Sequence, residues 1–367
     1  MNQKEQLMLL LCYVPGIGGR KTDYVLNLVS SVEELKEKYD QVCTNLKLEK
    51  SIVQNFRIIM NNFNIEETIL KYKEKNVMII TKENNLYPQS LKEIYDPPPV
   101  LFCKGNIELF QNNTLAIVGA RKATWYGKNI AKEMGEYLSV SGFTVASGMA
   151  RGIDASAHTG ALRGKGSSIG VLGCGLDIIY PRQNQEIYST MEENGLLISA
   201  YPLGTQPVAA HFPARNRIIS GLSKGVIVVE AEERSGALIT ADFAMEQGRD
   251  VFAVPGNINS MLSRGTNKLI REGAIAVTSY PDILEEYNFQ SQRSEGKNVI
   301  SDVINLSDVE ENILKNLQGQ MVSLEYLLLT TGIGISELLA NLITLEIKGL
   351  IKKAGNQMYQ PLGKVDF

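Results

Sequence analysis

The sequence has few of the side chains that metal and redox chemistry require. Its 367 residues include four cysteines and two histidines. No CxxC pair occurs, which excludes the common zinc and dithiol motifs, and two histidines are too few for a multi-histidine metal site. We therefore expect no metal, no cofactor, and reduced, buried thiols. The residues concerned are Cys12, Cys43, Cys103, Cys174, His158 and His211.

Long apolar runs are also missing. Runs such as residues 7–12 and 226–229 fall well short of the ~20 residues that a membrane-spanning helix needs. In the N-terminal segment MNQKEQLMLL, one lysine is followed at once by Glu5, and no small-residue cleavage site comes after the apolar stretch, unlike a secretory signal. These absences predict a cytoplasmic protein with no membrane partner.

Positive charge is not in excess, since 37 Lys and Arg stand against 40 Asp and Glu, a net charge of -3. This balance excludes a polybasic nucleic-acid-binding protein of the simple kind, so any anion site must be local. With 44% hydrophobic and 21% charged residues, the composition is typical of a globular protein. The length predicts two or three domains.

Residues 1–80 are predicted to form an N-terminal all-α domain, because apolar residues recur there at helical spacing. Within it, VPGIGGRK (residues 14–21) resembles a helix-hairpin-helix turn, whose amides can hold a DNA phosphate. The alternative is a tight turn that needs positive φ at Gly16 and Gly18.

Residues 81–288 are predicted to form the main α/β domain. After three prolines that exclude a helix, apolar β-branched runs alternate with helical segments. The predicted strands lie near LAIVGA, FTVASG, SIGVLG, LLISAY, GVIVVE and DVFAVP, and the helices include residues 126–138, 155–162 and 237–247. This alternation predicts a doubly wound, mainly parallel sheet covered on both faces.

The remainder of the chain is predicted to contain a polar linker, residues 289–298, and a winged-helix-like domain, residues 299–367. The recognition helix of that domain, residues 336–348, carries Glu337 and Glu346 against Lys348 alone, which is poor for meeting phosphates. Two roles for this domain remain open: weak DNA binding through Lys352 and Lys353, or docking to another protein.

Glycines and arginines come directly after the predicted strands, where an open parallel sheet binds its ligands. Between residues 114 and 220, ten Lys and Arg stand against seven Asp and Glu, in a chain that is acidic overall. Because the planar guanidinium suits phosphate, several arginines at one crevice predict an anion site. The candidates are Gly119, Arg121, Gly148, Arg151, Gly173, Arg182, Arg215, Asn216 and Arg217. Close strand–helix packing remains an alternative for each glycine, and an ion pair with Asp154 for Arg151.

Two common nucleotide sites are excluded by the turns after these strands. The first turn reads GARKAT rather than G-x-G-x-x-G, the second strand ends without a carboxylate, and no strand leads into a Walker A loop. Ser235 and Gly236 open a helix and could offer amides to a phosphate, although helix capping is favoured. His158 is interpreted as structural. The acidic residues Glu230, Glu232 and Glu233 would repel a polyanion unless they turn away or bridge to cations such as Arg234, and their favoured role is to order the next loop, SGALIT.

Seven ordered segments between residues 86 and 274 closely resemble the DNA-processing protein A family (DprA, also called Smf). They are YDPPPVLFCKG, IVGARKATWYG, ASGMARGIDASAH, GVLGCGLDIIYPRQN, HFPARNRIISGLS, VVEAEERSGALITADFAMEQGRDVFAVPG and RGTNKLIREGA. The resemblance implies an extended Rossmann-like core that binds single-stranded DNA without sequence specificity, without enzymatic turnover. It also implies a homodimer that protects incoming DNA and helps to load the RecA recombinase during natural transformation.

Carried over by motif, the resemblance implies phosphate contacts at Arg121, Arg182, Arg215 and Arg217. It implies a dimer surface, overlapping the RecA-facing one, at Met245, Leu269 and Ile270, although these could equally be core residues. A rival interpretation is an enzyme acting on a nucleoside monophosphate, because SGALITADFA distantly resembles the phosphate loop of nucleotide phosphoribohydrolases. That loop lacks the PGGxGT pattern of such enzymes.

Overall fold

The computed structural model describes residues 1–287, 306–317, 321–348, 350–353 and 358–361. The chain divides into two compact units, Met1–Gln292 and Arg293–Phe367. The predicted N-terminal domain and the sheet therefore lie within one unit. The predicted linker, residues 289–298, lies outside the described residues.

The first unit begins with helices and then alternates strands with helices. Its helices are α1 (Gln3–Cys12), α2 (Gly19–Leu28), α3 (Val32–Glu37), α4 (Tyr39–Asn45), α5 (Lys50–Asn62), α6 (Ile65–Glu74), α7 (Gln89–Lys92), α8 (Trp125–Val140), α9 (Ile153–Ala161), α10 (Gln185–Asn194), α11 (His211–Leu222), α12 (Gly236–Glu246), α13 (Arg264–Arg271) and α14 (Pro281–Glu286). Its strands are β1 (Met78–Thr81), β2 (Val100–Gly105), β3 (Thr114–Val118), β4 (Thr144–Ser147), β5 (Ser168–Leu172), β6 (Leu196–Ser199), β7 (Gly225–Val228), β8 (Asp250–Ala253) and β9 (Ile275–Ala276).

The nine strands form one sheet in the order β1-β2-β6-β5-β4-β3-β7-β8-β9. From β6 to β9 every neighbouring pair is parallel, whereas β2 runs antiparallel to both β1 and β6. The doubly wound, mainly parallel sheet is confirmed, and the six predicted strands are β3 to β8. Sequence reasoning missed β1, β2 and β9, because their short runs at the sheet margins lack the strand–helix alternation that reveals the others.

The pleat of the central strand explains why both sheet faces are covered. In β3, Leu115 and Ile117 pack on the side of α8 and α9, whereas Ala116 and Val118 pack on the side of α11 and α12. All four side chains are buried. Alternate residues of a strand point to opposite faces, so a strand that is apolar throughout needs helices on both.

Helix α1 joins the N-terminal helices to the sheet because it is apolar on nearly every side. Leu7, Leu10 and Leu11 contribute to the helical core, while Met8 and Leu9 pack in a second cluster that includes Phe102 of β2. All five α1 residues are completely buried. A helix that is hydrophobic all round is buried between layers, which accounts for the single compact unit.

The second unit has the winged-helix layout expected from the sequence. Its elements are α15 (Asp308–Leu317), β10 (Val322–Ser323), α16 (Leu324–Thr331), α17 (Ile335–Ile347), β11 (Ile351–Lys353) and β12 (Met358–Pro361). The strands pair antiparallel in the order β10-β12-β11, and Ile313, Leu327 and Leu342 lie in the core beneath them.

Among the described helices, none alone is both long and apolar enough to cross a membrane. The bent pair Leu324–Thr331 and Ile335–Glu346 meets the length and composition test only when both are taken together across a 113° bend. All four cysteines are free thiols, and burial raises the pKa of Cys103 and of Cys174. Within the described ranges, no three His, Cys, Asp or Glu side chains group as metal ligands would.

Candidate functional site

A crevice of about 470 Å³ lies outside the carboxyl ends of β3, β4 and β7, where the sheet reverses its winding. It brings together six of the predicted site residues: Gly119, Arg121, Arg215, Asn216, Ser235 and Gly236. Tyr180 and Phe212 also line it, and sequence reasoning missed both. Phe212 could have been found, because it lies three residues before Arg215 on the same helix and hence on the same face.

Arg121 is exposed at the mouth of the crevice. Its guanidinium carbon lies 5.4 Å from the centre of the Phe212 ring, and the Phe212 ring lies 5.4 Å from that of Tyr180. Across the described part of the chain, no carboxylate lies within ion-pair distance of Arg121. The Arg121 guanidinium, which lies near the Phe212 ring, is therefore available to bind an anion.

Arg215 forms the floor of the crevice rather than its mouth, since only 4% of the residue is exposed. Its Nη1 donates to the carbonyl oxygens of Gly148, at 2.7 Å, and Val171, and its Nε donates to Asn216 Oδ1 at 3.2 Å. Burial lowers the pKa of this guanidinium, while the nearby Asp154 carboxylate acts in the opposite direction. The side chain ties the ends of β4 and β5 together and places a positive charge beneath the crevice.

Asp154, in the first turn of α9, orders the loop after β4. Its Oδ2 accepts from the N–H groups of Gly148, at 3.1 Å, and Ala150, at 3.4 Å. Burial raises the pKa of this carboxyl, and Arg215 opposes the rise. The ion pair considered between Asp154 and Arg151 is not among the described ion pairs, and Arg151 is exposed.

The glycines after the strands allow close packing around the crevice. A Cβ at Gly119 would lie 2.6 Å from the Ile153 side chain, one at Gly148 would lie 2.5 Å from Arg215 Nη2, and one at Gly173 would lie 3.0 Å from the Phe212 ring. Close packing, the alternative given above for each glycine, therefore explains why glycine occupies these three positions. Gly236 differs, because no atom lies within 4 Å of its Cβ position.

Ser235 has the favoured capping role. Its Oγ accepts from the N–H of Ala237 at 3.2 Å at the start of α12. Asn216 Nδ2 donates to the carbonyl oxygen of Gly236 at 3.2 Å, which fixes the start of α12 against α11. The open position of Gly236 therefore lies on an ordered helix terminus.

Arg151, in the turn after β4, and Arg182, in the short 3-10 helix Arg182–Asn184, are exposed beside the crevice and do not line it. Asn184 links the two segments, because its Nδ2 donates to the carbonyl oxygens of Met149, at 2.8 Å, and Ala150, at 3.2 Å. Both arginines remain candidate contacts for a ligand that extends beyond the crevice.

Arg217 does not belong to the crevice, contrary to the expectation from its motif. Its Nη2 lies 3.2 Å from Asp96 Oδ2, its Nη1 donates to the Asp96 carbonyl oxygen, and it lines a separate cavity. The reason is helical geometry: residues two apart on a helix, such as Arg215 and Arg217, do not face the same side.

The GIGG turn is occupied within the molecule. Gly16 has a φ of 80°, whereas Gly18, at -92°, does not need the left-handed region. The Arg20 N–H at the start of α2 donates to Asp96 Oδ1 at 3.0 Å, and Gly19 packs against the Pro97 backbone. Asp96 thus takes the place at this helix start that the hairpin interpretation gives to a phosphate.

Two polar residues at the strand ends have structural roles. Glu230 is 6% exposed and turns toward the start of α8, where it accepts from the Thr124 N–H at 2.9 Å and from Thr124 Oγ1 at 2.5 Å. His158 is completely buried, its Nδ1 lies 2.7 Å from Ser168 Oγ, and its Nε2 accepts from the Met149 N–H at 3.4 Å. Burial lowers the pKa of His158 to about 3, so its imidazole is neutral.

The three residues expected at a dimer surface differ in exposure. Met245 is 52% exposed, Ile270 is half-buried, and Leu269 is 5% exposed within the core cluster. Leu269 is therefore a core residue of this chain and not the dimer-surface residue that the resemblance implied. Met245 lies on α12, whereas Leu269 and Ile270 are neighbours on α13 that face different sides of that helix.

The predicted recognition helix of the second unit is α17, which exposes Ile335, Leu339 and Ile343 beside Glu337. Lys348, just after the helix, has its Nζ 2.7 Å from Glu310 Oε1. The exposed face of α17 is thus apolar and acidic, which disfavours phosphate binding.

The fold and the crevice together define a Rossmann-like α/β protein whose sheet has a crevice lined by cationic and aromatic side chains at its switch point. Residues 78–288 match the DNA recombination-mediator protein A family, and residues 302–356 match the DprA winged helix domain. The chain belongs to the DNA recombination-mediator protein A family, as the motifs predicted.

Relatives and solved structures agree with this assignment. The chain is 39% identical over 292 residues to Protein Smf of Escherichia coli, covering 78% of each chain. It is 44% identical over 223 residues to the DNA processing protein DprA of Bacillus subtilis, covering 60% of this chain and 75% of that one. The X-ray structure of DprA from Streptococcus pneumoniae aligns with a TM-score of 0.65 at 35% identity, over 78% of this chain and 99% of that one. A DNA processing protein A structure from Helicobacter pylori, described as giving insights into its single-stranded DNA binding mode, aligns with a TM-score of 0.53 at 31% identity, over 57% of this chain and 96% of that one.

Proposed function

We propose that this chain binds single-stranded DNA through its sugar-phosphate backbone in the crevice at the ends of β3 and β7. The observation that carries the proposal is Arg121, an exposed guanidinium with no carboxylate partner among the described residues, beside the rings of Phe212 and Tyr180. Cations that meet phosphates and aromatic rings that stack on bases are the two components of single-strand binding sites. The single-strand binding described for the Helicobacter pylori relative supports the same ligand.

Two further features favour a polyanion. Arg215 places a buried positive charge beneath the crevice, and the start of α12 contributes the positive end of a helix dipole next to the open position of Gly236. Glu230, the acidic residue nearest these strand ends in sequence, faces the start of α8 instead. Because backbone contacts and stacking are independent of base identity, the binding has no sequence specificity.

The test is a titration of the full chain into labelled oligonucleotides of equal length: dT, mixed sequence and duplex. Fluorescence anisotropy should give similar dissociation constants for the two single strands and weaker binding to the duplex. Equal or tighter binding to the duplex, or no binding to either strand, would contradict the proposal.

The biological role that we propose is that of a recombination mediator, which protects incoming strands and helps to load RecA during natural transformation, in the cytoplasm. Nuclease protection of a bound strand and a shorter lag in RecA-catalysed ATP hydrolysis on that strand are the expected results. We also propose a homodimer whose surface includes Met245 and the exposed part of Ile270. Sedimentation should show that Met245→Glu lowers dimer stability, and an unchanged dimer would remove Met245 from the surface.

We propose that the protein acts without catalytic turnover. The alternative is hydrolysis of a nucleoside monophosphate at the loop before α12, where Ser235 caps the helix. Release of adenine from AMP, monitored by chromatography with the full chain in excess, would support that alternative. Absence of free base under conditions where the same sample binds single strands would favour the binding role.

A further inference from the structure

Trp125 is the single tryptophan of the chain, and it is 74% exposed. It is the first residue of α8, directly after the loop that leaves the crevice through Gly119 and Arg121. Large aromatic side chains left in water at a rigid position are typical of binding surfaces, because their burial by a ligand is favourable. Trp125 is not among the residues that line the crevice.

The backbone that carries Trp125 is fixed by a network of hydrogen bonds. Thr124 Oγ1 accepts from the Gly127 N–H at 3.0 Å, and both the Thr124 hydroxyl and its N–H donate to the buried Glu230 carboxylate. A Cβ at Gly127 would collide with that carboxylate, so glycine is needed for this arrangement. The indole is therefore presented from an ordered helix start rather than from a loose loop.

The surroundings of Trp125 are cationic and aromatic. Arg121, four residues earlier, lines the crevice, and Lys122 between them is exposed. Neither has an ion-pair partner in the part of the chain that the structure describes. Tyr126 is 53% exposed beside them. At about 3.6 Å per residue, the Cα atoms of Arg121 and Trp125 are at most about 14 Å apart.

We propose that Trp125 is a stacking platform for a base of a single strand at the point where the strand leaves the crevice, with Arg121 and Lys122 meeting the adjoining phosphates. This proposal rests on the proposed function and extends the site by one base beyond the Phe212 and Tyr180 wall. A π-face stacks with any base, so the contact adds affinity without adding sequence preference.

The test uses the full chain and an end-labelled dT oligonucleotide, with label anisotropy and Trp125 emission recorded in one titration. The emission should change in proportion to the bound fraction. Trp125→Ala should raise the dissociation constant about 5- to 150-fold, the range that corresponds to loss of one base–aromatic stack. Trp125→Phe should restore most of the affinity, because an aromatic face is retained. Tyr95→Ala removes a ring of similar exposure, 78%, away from the crevice and should leave the affinity unchanged.

The outcomes separate this proposal from the one on which it depends. Anisotropy that reports binding while Trp125 emission and the affinity of Trp125→Ala stay unchanged overturns the platform and leaves the crevice in place. No binding by the unmodified chain overturns both proposals. A Trp125→Ala variant with altered sedimentation but unaltered DNA affinity assigns the indole to a protein contact, which also overturns the platform.

Discussion

Asp96 pairs with Arg217 across 121 residues of sequence, with 3.2 Å between Oδ2 and Nη2. The other carboxylate oxygen, Oδ1, accepts from the Arg20 N–H at the start of α2 at 3.0 Å. One carboxylate therefore joins the N-terminal helices to α11, the helix that supplies Phe212 and Arg215 to the crevice. Arg217 therefore takes part in this contact between helices and not in the crevice.

The first prediction is that Asp96→Ala and Arg217→Ala each destabilise the first unit, by about 1–3 kcal/mol, because each removes hydrogen bonds to a partly buried charge. The double variant should be destabilised by less than the sum of the two single variants, since the two residues are in contact. Urea unfolding monitored by Trp125 emission measures this, because the only tryptophan lies in that unit. If the losses in free energy of unfolding simply add in the double variant, Asp96 and Arg217 do not stabilise the unit through their contact.

A second prediction concerns Arg121 and salt. Binding to a single strand loses affinity with salt at a slope of about -0.7 in log K against log salt for each phosphate contacted. Arg121→Ala should therefore make the slope shallower by about 0.7, as measured by anisotropy over a range of NaCl concentrations. Arg217→Ala should leave the slope unchanged despite its effect on stability.

The matched control for Arg121 is Arg163→Ala. Arg163 is also an exposed arginine, but it pairs with Glu136 at 3.1 Å just after α9, at the opposite end of that helix from the crevice. An equal change of slope in both variants would show that the effect is one of net charge rather than of a contact made by Arg121.

Much of this site can be predicted from the sequence, and the remainder depends on tertiary contacts. The strand–helix alternation predicts the sheet, and the sheet predicts that the loops of Arg121 and Gly236 meet at one edge. Arg217 could have been excluded by helical geometry alone. That Asp96 is its partner could not have been predicted, because a contact between distant segments leaves no periodic signal in either segment. The position of Tyr180 beside Phe212 is also a contact between distant segments and was missed for this reason.

A third prediction compares two glycines of the site. Gly148→Ala should place a methyl group 2.5 Å from Arg215 Nη2 and lower stability by about 1–3 kcal/mol, because the buried guanidinium has little room to move. Gly236→Ala meets no atom within 4 Å, so stability should change by less than about 1 kcal/mol.

The DNA affinity of Gly236→Ala then tests whether a phosphate approaches that helix start. A weaker affinity at unchanged stability is the expected result, because the added methyl group occupies the space next to the amide. Unchanged affinity would remove Gly236 from the proposed contacts, and destabilisation equal to that of Gly148→Ala would contradict the open environment of this residue.

The last prediction is a pH dependence of stability that His158 contributes. Burial lowers its pKa to about 3 in the folded chain, whereas an unfolded histidine titrates near 6.5. Between these values the unfolded chain binds a proton that the folded chain does not, so the free energy of unfolding falls as the pH is lowered through this window. This decrease is at most about 1.4 kcal/mol for each pH unit.

His158→Gln keeps an acceptor for the Met149 N–H but cannot titrate, so its stability should lack this pH dependence. The stability difference between the two proteins, measured by urea unfolding with Trp125 emission, should shrink by about 1 kcal/mol between pH 6 and pH 5. Other titrating groups are common to both proteins and cancel in this difference. Parallel pH profiles would mean that the imidazole takes up its proton in the folded state, which the bonds to Met149 and Ser168 disfavour.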